Sequence, residues 1–144
     1  MFKLDLDRRL AAWSSLRKAL EVSDDPLQDL IDFWQQTPII PNNVLIDPFY
    51  PASWPTPWEI IEQNRYDDFT KAIMMGYTLL LTDRYKNSTI QLRTLVDKVR
   101  KRLYNVIYVD DEQVLNFSDT EAFLTSQIPE EFLLENIIEL ERPR

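Results

Sequence analysis

The chain has 144 residues, a net charge of −8, and neither histidine nor cysteine. The absence of both residues excludes thiol proteases, serine–histidine hydrolases, disulfide scaffolds and the usual zinc sites, because each needs a thiol or an imidazole. The negative charge argues against a nucleic-acid-binding surface over the whole molecule. Carboxylate, lysine or tyrosine chemistry stays available, and we expect no cofactor or metal.

Composition and length predict a single packed domain over residues 1–144. Hydrophobic residues make up 44% of the chain and aromatic residues 12%, which is typical of a buried core and not of disorder. No apolar run approaches the roughly 20 residues that span a bilayer. The N-terminus turns charged at once and has no apolar signal region. We therefore expect a soluble, cytoplasmic protein.

Residues 1–36 predict a pair of helices. Apolar residues recur every three or four positions over Asp5–Val22, which is the spacing of an amphipathic helix. A second helix is expected to begin at Asp25 and to end before Pro38. Asp25 can cap its first turn, Pro26 suits the first helical position, and Gln28 can complete a capping box.

Residues 37–57 form a proline-rich segment that we call the strap. Its six prolines bar a long helix or a central strand. The aromatic and aliphatic residues between the prolines indicate an ordered segment laid across the domain. After it, the run Thr56-Pro57-Trp58-Glu59 predicts a short helix that continues to about Asn64 and opens with a capping box.

Residues 58–144 predict a central helix and a small sheet. The helix is expected over Asp67–Thr82, with Gly76 on its apolar face. A glycine there costs about 1 kcal/mol relative to alanine, which indicates that another element packs closely against it. Alternating residues then predict strands at 90–97, 103–109 and 113–117.

Two later stretches complete the predicted fold. Residues 118–121 have a capping-box pattern and predict a short helix through Leu124. Apolar spacing over 129–140 fits a helix slightly better than a strand, and an edge strand is the alternative. The expected class is α+β, with N-terminal helices, the proline-rich strap, and a central helix packed on a small antiparallel sheet.

Two acidic clusters are candidates for chemistry. Asp110-Asp111-Glu112 and Asp67-Asp68 carry the oxygen ligands that divalent metals prefer, and paired carboxylates can catalyse acid–base hydrolysis. A hairpin turn explains the first cluster without any ligand, and helix capping explains the second.

Two surfaces are predicted to contact other proteins. Aromatic residues interleaved with prolines can form a binding platform, and a basic run between two strands can attract acidic groups. The alternatives are core packing for the aromatic residues and a solvated loop for the basic ones. The predicted protein-binding residues are Tyr50, Trp54, Trp58, Lys98, Arg100, Lys101 and Arg102.

Three stretches follow one another in an informative order: YDDFTKA at 66–72 leads into the central helix, YNVIYV at 104–109 is a strand, and VLN at 114–116 lies on the next strand. This order resembles the transglutaminase-like (papain-type) cysteine enzymes, in which a cysteine opens a helix, a strand carries a histidine, and the following strand carries an aspartate. The resemblance implies that Tyr66, Tyr104 and Asn116 replace the catalytic triad, and therefore a degenerate fold without thiol chemistry.

These observations favour a non-catalytic structural or adaptor protein that acts through protein–protein contacts and is not an enzyme. The acidic single-domain plan also resembles small proteins of tailed bacteriophages, which implies a virion or assembly component. One alternative is a carboxylate-dependent divalent-metal hydrolase, which requires the acidic clusters to converge in one cleft. The other is an acidic mimic of nucleic acid, which requires carboxylates spaced like phosphates along one face. Contact with membranes or nucleic acid is not expected.

Overall fold

Four helices and a five-stranded antiparallel sheet make up the fold, and the computed structural model describes residues 1–144. The predicted α+β class is confirmed. In chain order the elements are α1 (Leu6–Val22), α2 (Pro26–Trp34), α3 (Pro57–Gln63), α4 (Asp68–Leu80), β1 (Ile90–Asp97), β2 (Arg102–Val109), β3 (Gln113–Leu115), β4 (Phe123–Leu124) and β5 (Leu133–Glu139), with 3₁₀ turns at Pro51–Ser53 and Thr125–Gln127.

Side-chain caps set where the helices begin. Thr56 accepts a hydrogen bond from the backbone of Glu59, whose side chain accepts one from the backbone of Thr56, so α3 has the predicted capping box. At α2, Asp25 caps the backbone of Gln28. The Gln28 side chain instead donates to the carbonyl oxygen of Thr120, so the capping box predicted for α2 does not close. None of the helices combines the length and apolar character that crossing a bilayer requires.

The sheet has the strand order β4-β3-β2-β1-β5. The C-terminal stretch forms β5, which pairs with the free edge of β1, so the favoured helix is wrong and the edge strand is correct. The helix predicted after residue 118 is also wrong, because the chain runs instead into the short strand β4 and a 3₁₀ turn. β3 ends at Leu115, two residues earlier than predicted, since the next residue, Asn116, has a left-handed backbone with a φ of 67°.

The central helix packs directly against the sheet. A Cβ atom added at Gly76 would lie 2.6 Å from Cδ1 of Leu140, 3.1 Å from Cγ2 of Ile90 and 3.3 Å from Cδ1 of Ile107. The close approach expected at this glycine is therefore confirmed. The main hydrophobic core of 24 buried residues lies around α4, whereas the second cluster has only four, including Val106 and Tyr108.

The strap crosses the domain in an ordered conformation and is tied to the start of α4. Ile39 forms a parallel bridge with Tyr66, just before the helix. Asn43 is buried; its side chain donates to the carbonyl oxygen of Arg65, and its backbone N–H donates to Oδ2 of Asp67 at 2.9 Å. These bonds hold the following strap residues beside the N-terminal end of α4.

Candidate active site

The N-terminal end of α4 begins with two aspartates that have different roles. Asp67 is the N-cap: its Oδ1 accepts hydrogen bonds from the backbone N–H of Thr70 at 2.7 Å and from the Thr70 hydroxyl at 2.6 Å. Its Oδ2 accepts the strap bond from Asn43. Both oxygens are therefore used in holding the helix and the strap together.

Asp68 is the first helical residue, and its carboxylate is held by two asparagines from the sheet. Oδ2 accepts from Nδ2 of Asn105 at 3.1 Å, and Oδ1 accepts from Nδ2 of Asn116 at 3.1 Å. Asn116 also donates to the backbone carbonyl of Asn105 at 2.8 Å, and the Thr94 hydroxyl donates to Oδ1 of Asn105 at 3.2 Å. Both asparagines are buried, whereas Asp68 is exposed.

The sheet geometry brings these three side chains together. Asn105 lies opposite Thr94 in the β1–β2 ladder and shares the helix-facing side of β2 with the buried Ile107. Asn116 follows β3 in the left-handed conformation that asparagine adopts more readily than most residues. This conformation directs its amide back towards the start of α4, so that a helix, a strand and the end of the next strand converge on one carboxylate.

Two neighbouring cavities lie near the carboxylate. The first, of about 170 Å³, is lined by Asp68 and Asn116 together with residues of β2 and of the stretch after β3. The second, of about 160 Å³, is lined by Asn105 and by Phe49 of the strap. Leu103 lines both cavities. Asp68 therefore lines the first cavity, and Asn105, which donates to its carboxylate, lines the second.

One wall of the first cavity is held by a buried lysine. Lys71 lies one helical turn after Asp68, and its side chain is only 8% exposed. Its Nζ lies 3.3 Å from Oδ1 of Asp119, an exposed residue that lines the cavity. This ion pair fastens the stretch after β3 to the helix and so fixes the width of the cleft.

An aspartate in this setting can act on a bound water molecule. A carboxylate offers about four acceptor positions, and the two asparagines occupy two of them on Asp68, one on each oxygen. An exposed carboxylate with free lone pairs can orient a water molecule and accept its proton. Asn105 keeps a second amide N–H, which can donate to an oxygen that gains negative charge.

The catalytic positions implied by the resemblance need a correction. Tyr66 is buried in a cluster of aromatic rings with Phe2 and Trp34, and its hydroxyl has no hydrogen-bond partner. Burial raises the pKa of Tyr66 above its usual value, with a smaller opposing effect from the positive charge of Arg9. Such a phenol keeps its proton near neutral pH and does not replace a thiolate.

The hydroxyl of Tyr104 forms no hydrogen bond with Asn116. Its ring lines the first cavity and stacks on Phe117, with centroids 4.8 Å apart, and on Phe132 at 5.6 Å. Only Asn116 of the three implied positions belongs to the constellation. The other two members are Asp68, two residues after Tyr66, and Asn105, one residue after Tyr104. A polar residue on the buried, helix-facing side of β2 was the signal that sequence reasoning missed at Asn105.

Of the aromatic residues predicted to bind proteins, Trp54 and Trp58 line one shared cavity. Tyr50 is exposed, Trp54 packs edge-on against Phe69 at 5.5 Å, and Trp58 packs edge-on against Trp13 at 5.9 Å. The indole N–H of Trp54 donates to a backbone carbonyl within the strap. Their role in protein binding stays a prediction.

The basic residues predicted to bind proteins lie at the turn between β1 and β2. Asp97 accepts hydrogen bonds from two backbone N–H groups of the turn, and Arg100 lies 3.5 Å from the same carboxylate. Lys98 and Lys101 are exposed, and Arg102 lines the first cavity. The structure thus brings only Arg102 of the predicted residues to the cleft.

The two acidic clusters do not converge. Asp110 and Asp111 form the turn after β2, where Asp110 accepts from the backbone of Thr89 and Asp111 pairs with Arg93 at 3.2 Å. No group of three or more aspartate or glutamate side chains is placed to hold a metal ion. The cleft needed by the metal hydrolase alternative is therefore not formed by these residues. The pairing with Arg93 also interrupts the acidic face that a nucleic-acid mimic requires.

Comparison with known proteins identifies the fold. No protein-family model matches the chain, and no curated protein has a significantly similar sequence. Among solved structures, calcium-bound LapG of Legionella pneumophila is similar to it, with a TM-score of 0.69 and 16% sequence identity, over 94% of this chain and 77% of the LapG chain. This likeness supports a transglutaminase-like fold for the chain.

The calcium of LapG has no counterpart in the donor set of this chain. Calcium takes about six to eight oxygen ligands, several of them from carboxylates. The acidic side chains here do not gather in groups of three. The residues present do not fit such an ion, and the chemistry considered below does not use one.

The similarity of the fold to that of LapG contradicts the expectation of a non-catalytic structural or adaptor protein. The sequence argument treated the loss of histidine and cysteine as a loss of activity. Their absence excludes only thiol and imidazole chemistry, and the cleft of this transglutaminase-like fold holds an exposed carboxylate instead.

Proposed function

We propose that the protein hydrolyses amide bonds in polypeptides, with Asp68 as the general base that activates water. The observation that carries this proposal is the exposed Asp68 carboxylate, oriented by two buried asparagines in a cavity that it lines. A base with its orientation set in advance is the first requirement for such catalysis.

The reaction needs no covalent intermediate. Asp68 accepts a proton from water while the water oxygen bonds to the carbonyl carbon of the substrate. The carbonyl oxygen becomes an oxyanion, to which the free amide N–H of Asn105 donates. When the C–N bond breaks, Asp68 returns the proton to the leaving amine. The products are a carboxylic acid and an amine, and Asp68 is again a carboxylate.

The fold supports a polypeptide as the substrate. In the transglutaminase-like pattern, catalytic groups lie at a helix start, on a strand and on the following strand. Asp68, Asn105 and Asn116 follow this order here. The predicted contact with other proteins would then be contact with substrates. The phage resemblance and the virion location stay predictions of the sequence alone.

The test is cleavage of a mixed peptide library in ¹⁸O-labelled water, followed by mass spectrometry. We expect fragments with one ¹⁸O atom in each new carboxyl group, and about 10²–10⁴-fold slower cleavage by Asp68→Asn, which is the usual contribution of a positioned general base. Asp7→Asn is the matched control, because Asp7 lies in the first turn of α1 and forms no hydrogen bond or ion pair with its side chain. Cleavage by the wild type that does not exceed that of Asp68→Asn overturns the proposal.

A further inference from the structure

The cavity beside Asn105 differs in character from the first one. Its apolar wall comes from the strap, from α4 and from β2: Pro48, Phe49, Phe69 and Leu103. Its polar rim includes Asn105, together with Glu135 and Asn136 of β5. An apolar wall with a polar rim is the usual construction of a small ligand site.

Two large apolar side chains stay open to solvent at this cavity. Phe49 is 81% exposed and Leu103 is 51% exposed, although both lie beside other apolar side chains. Exposed apolar residues that gather around a concavity mark a place where apolar groups bind. The strap holds Phe49 in this position through the bonds of Asn43 to Arg65 and Asp67.

The rim has polar groups without partners in the protein. Asn136 forms no hydrogen bond with its side chain, and Glu135 forms neither a hydrogen bond nor an ion pair with its side chain, whereas Asn105 keeps one amide N–H beyond its bond to Asp68. Such groups can satisfy the N–H and C=O groups of an extended peptide backbone, which the apolar wall cannot do. Glu135 also disfavours an acidic side chain at the entrance.

We propose that this cavity is the specificity subsite of the enzyme and takes a large unbranched or γ-branched apolar side chain, such as leucine or methionine, next to the bond that is cleaved. The inference rests on the proposed function. Its occupant is an extended polypeptide segment, because the cavity adjoins the one that Asp68 lines: Leu103 lines both cavities, and Nδ2 of Asn105 lies 3.1 Å from Oδ2 of Asp68.

The test uses blocked pentapeptides, Ala-Ala-Xaa-Ala-Ala, in which Xaa is leucine, alanine or glutamate. Dissociation constants are measured by fluorescence with the Asp68→Asn variant, and KM and kcat with the wild type. We expect the leucine peptide to bind at least about tenfold more tightly than the alanine peptide, and the glutamate peptide to bind most weakly. The difference between the leucine and alanine peptides should appear in KM.

A matched pair of strap variants tests the location of the subsite. Phe49→Ser is expected to abolish most of the leucine preference, since it removes the exposed apolar wall. Val44→Ser is the control, because Val44 is an equally exposed apolar strap residue that lines neither cavity. Equal binding of the leucine and alanine peptides overturns the subsite, as does a leucine preference that Phe49→Ser leaves unchanged.

The two proposals fail in different ways. Leucine-selective binding that Phe49→Ser abolishes, without any cleavage by the wild type, supports the subsite and overturns hydrolysis. Cleavage that depends on Asp68 but ignores the side chain at Xaa supports hydrolysis and overturns the subsite. If no library peptide is bound or cleaved, both proposals are overturned.

Discussion

The two ends of α4 differ in what their polar groups do. At the C-terminal end, the Thr78 hydroxyl accepts from the indole N–H of Trp13 at 2.9 Å and donates to the carbonyl oxygen of Met74, all in the core. At the N-terminal end, Asp68 points into a cleft with lone pairs unused. The buried end holds the helix against the sheet, and this anchoring lets the exposed end keep a reactive group in a fixed position.

This comparison separates stability from activity along one helix. Changes at the C-terminal end are expected to alter the free energy of unfolding and to leave the chemistry of folded molecules intact. Changes at Asp68 are expected to alter the chemistry of folded molecules most, with a smaller loss of stability from the buried asparagine amides that it satisfies. Asp67 lies between these cases, because it caps the helix and also ties down the strap.

The largest effect is expected for Asp68→Asn, as a fall in kcat of about 10²–10⁴-fold, together with a loss of stability of about 1–3 kcal/mol because one of the two buried asparagine amides loses its acceptor. The substitution keeps the shape of the side chain but removes the base. Peptide hydrolysis and urea unfolding should be measured on the same preparation. Equal falls in kcat for Asp68→Asn and for Asp7→Asn would show that the start of α4 has no special role.

Gly76→Ala is expected to lower the free energy of unfolding by up to about 2 kcal/mol. Overpacking against Leu140, Ile90 and Ile107 costs about 1–3 kcal/mol, and the higher helix propensity of alanine offsets about 1 kcal/mol of that. Urea unfolding measures the loss, and kcat per folded molecule should stay at the wild-type value. A fall in kcat without a loss of stability would contradict the claim that only the N-terminal end of α4 determines activity.

Asp67→Ala is expected to cost about 1 kcal/mol of stability, which is typical for the loss of an N-cap. It should also raise KM for the leucine peptide, because the strap that carries Phe49 loses its bond from Asn43. Asp67→Asn is the matched control, since asparagine caps helices equally well. If Asp67→Ala and Asp67→Asn lower the free energy of unfolding equally, the stabilisation comes from the negative charge of Asp67 and not from its hydrogen bond as the N-cap.

A further effect is expected only in alkaline solution. Burial, and secondarily the charge of Glu141, raise the pKa of Tyr77 to about 12, against about 10 in an unfolded chain. The folded state therefore binds the phenol proton more tightly, and this contribution to stability is complete below about pH 10 and is lost as the pH rises towards 12. Tyr77→Phe should make the free energy of unfolding fall less steeply over this range in urea titrations. An unchanged slope would contradict the assignment.

Local sequence patterns predicted the elements that depend on near neighbours. The capping box of Thr56 and Glu59 set the start of α3, and Gly76 indicated the close packing of α4 on the sheet. The strand β5 was predicted only as the alternative to a helix, because its apolar spacing suits a helix slightly better and the free edge of β1 selects the extended form. Asp68 was not singled out from Asp67, since both looked like ordinary helix-start residues.

Local sequence patterns were sufficient to predict the N-caps, the strands β1 and β2, and the exclusion of thiol and imidazole chemistry. The candidate site became visible only in the folded chain, because Asp68 is 37 residues from Asn105 and 48 residues from Asn116 along the chain. Caps and alternation depend on residues a few positions apart, whose geometry the backbone fixes. The meeting of a helix start with two strands depends on sheet register, on a left-handed residue after β3, and on how closely a glycine lets the helix approach the sheet.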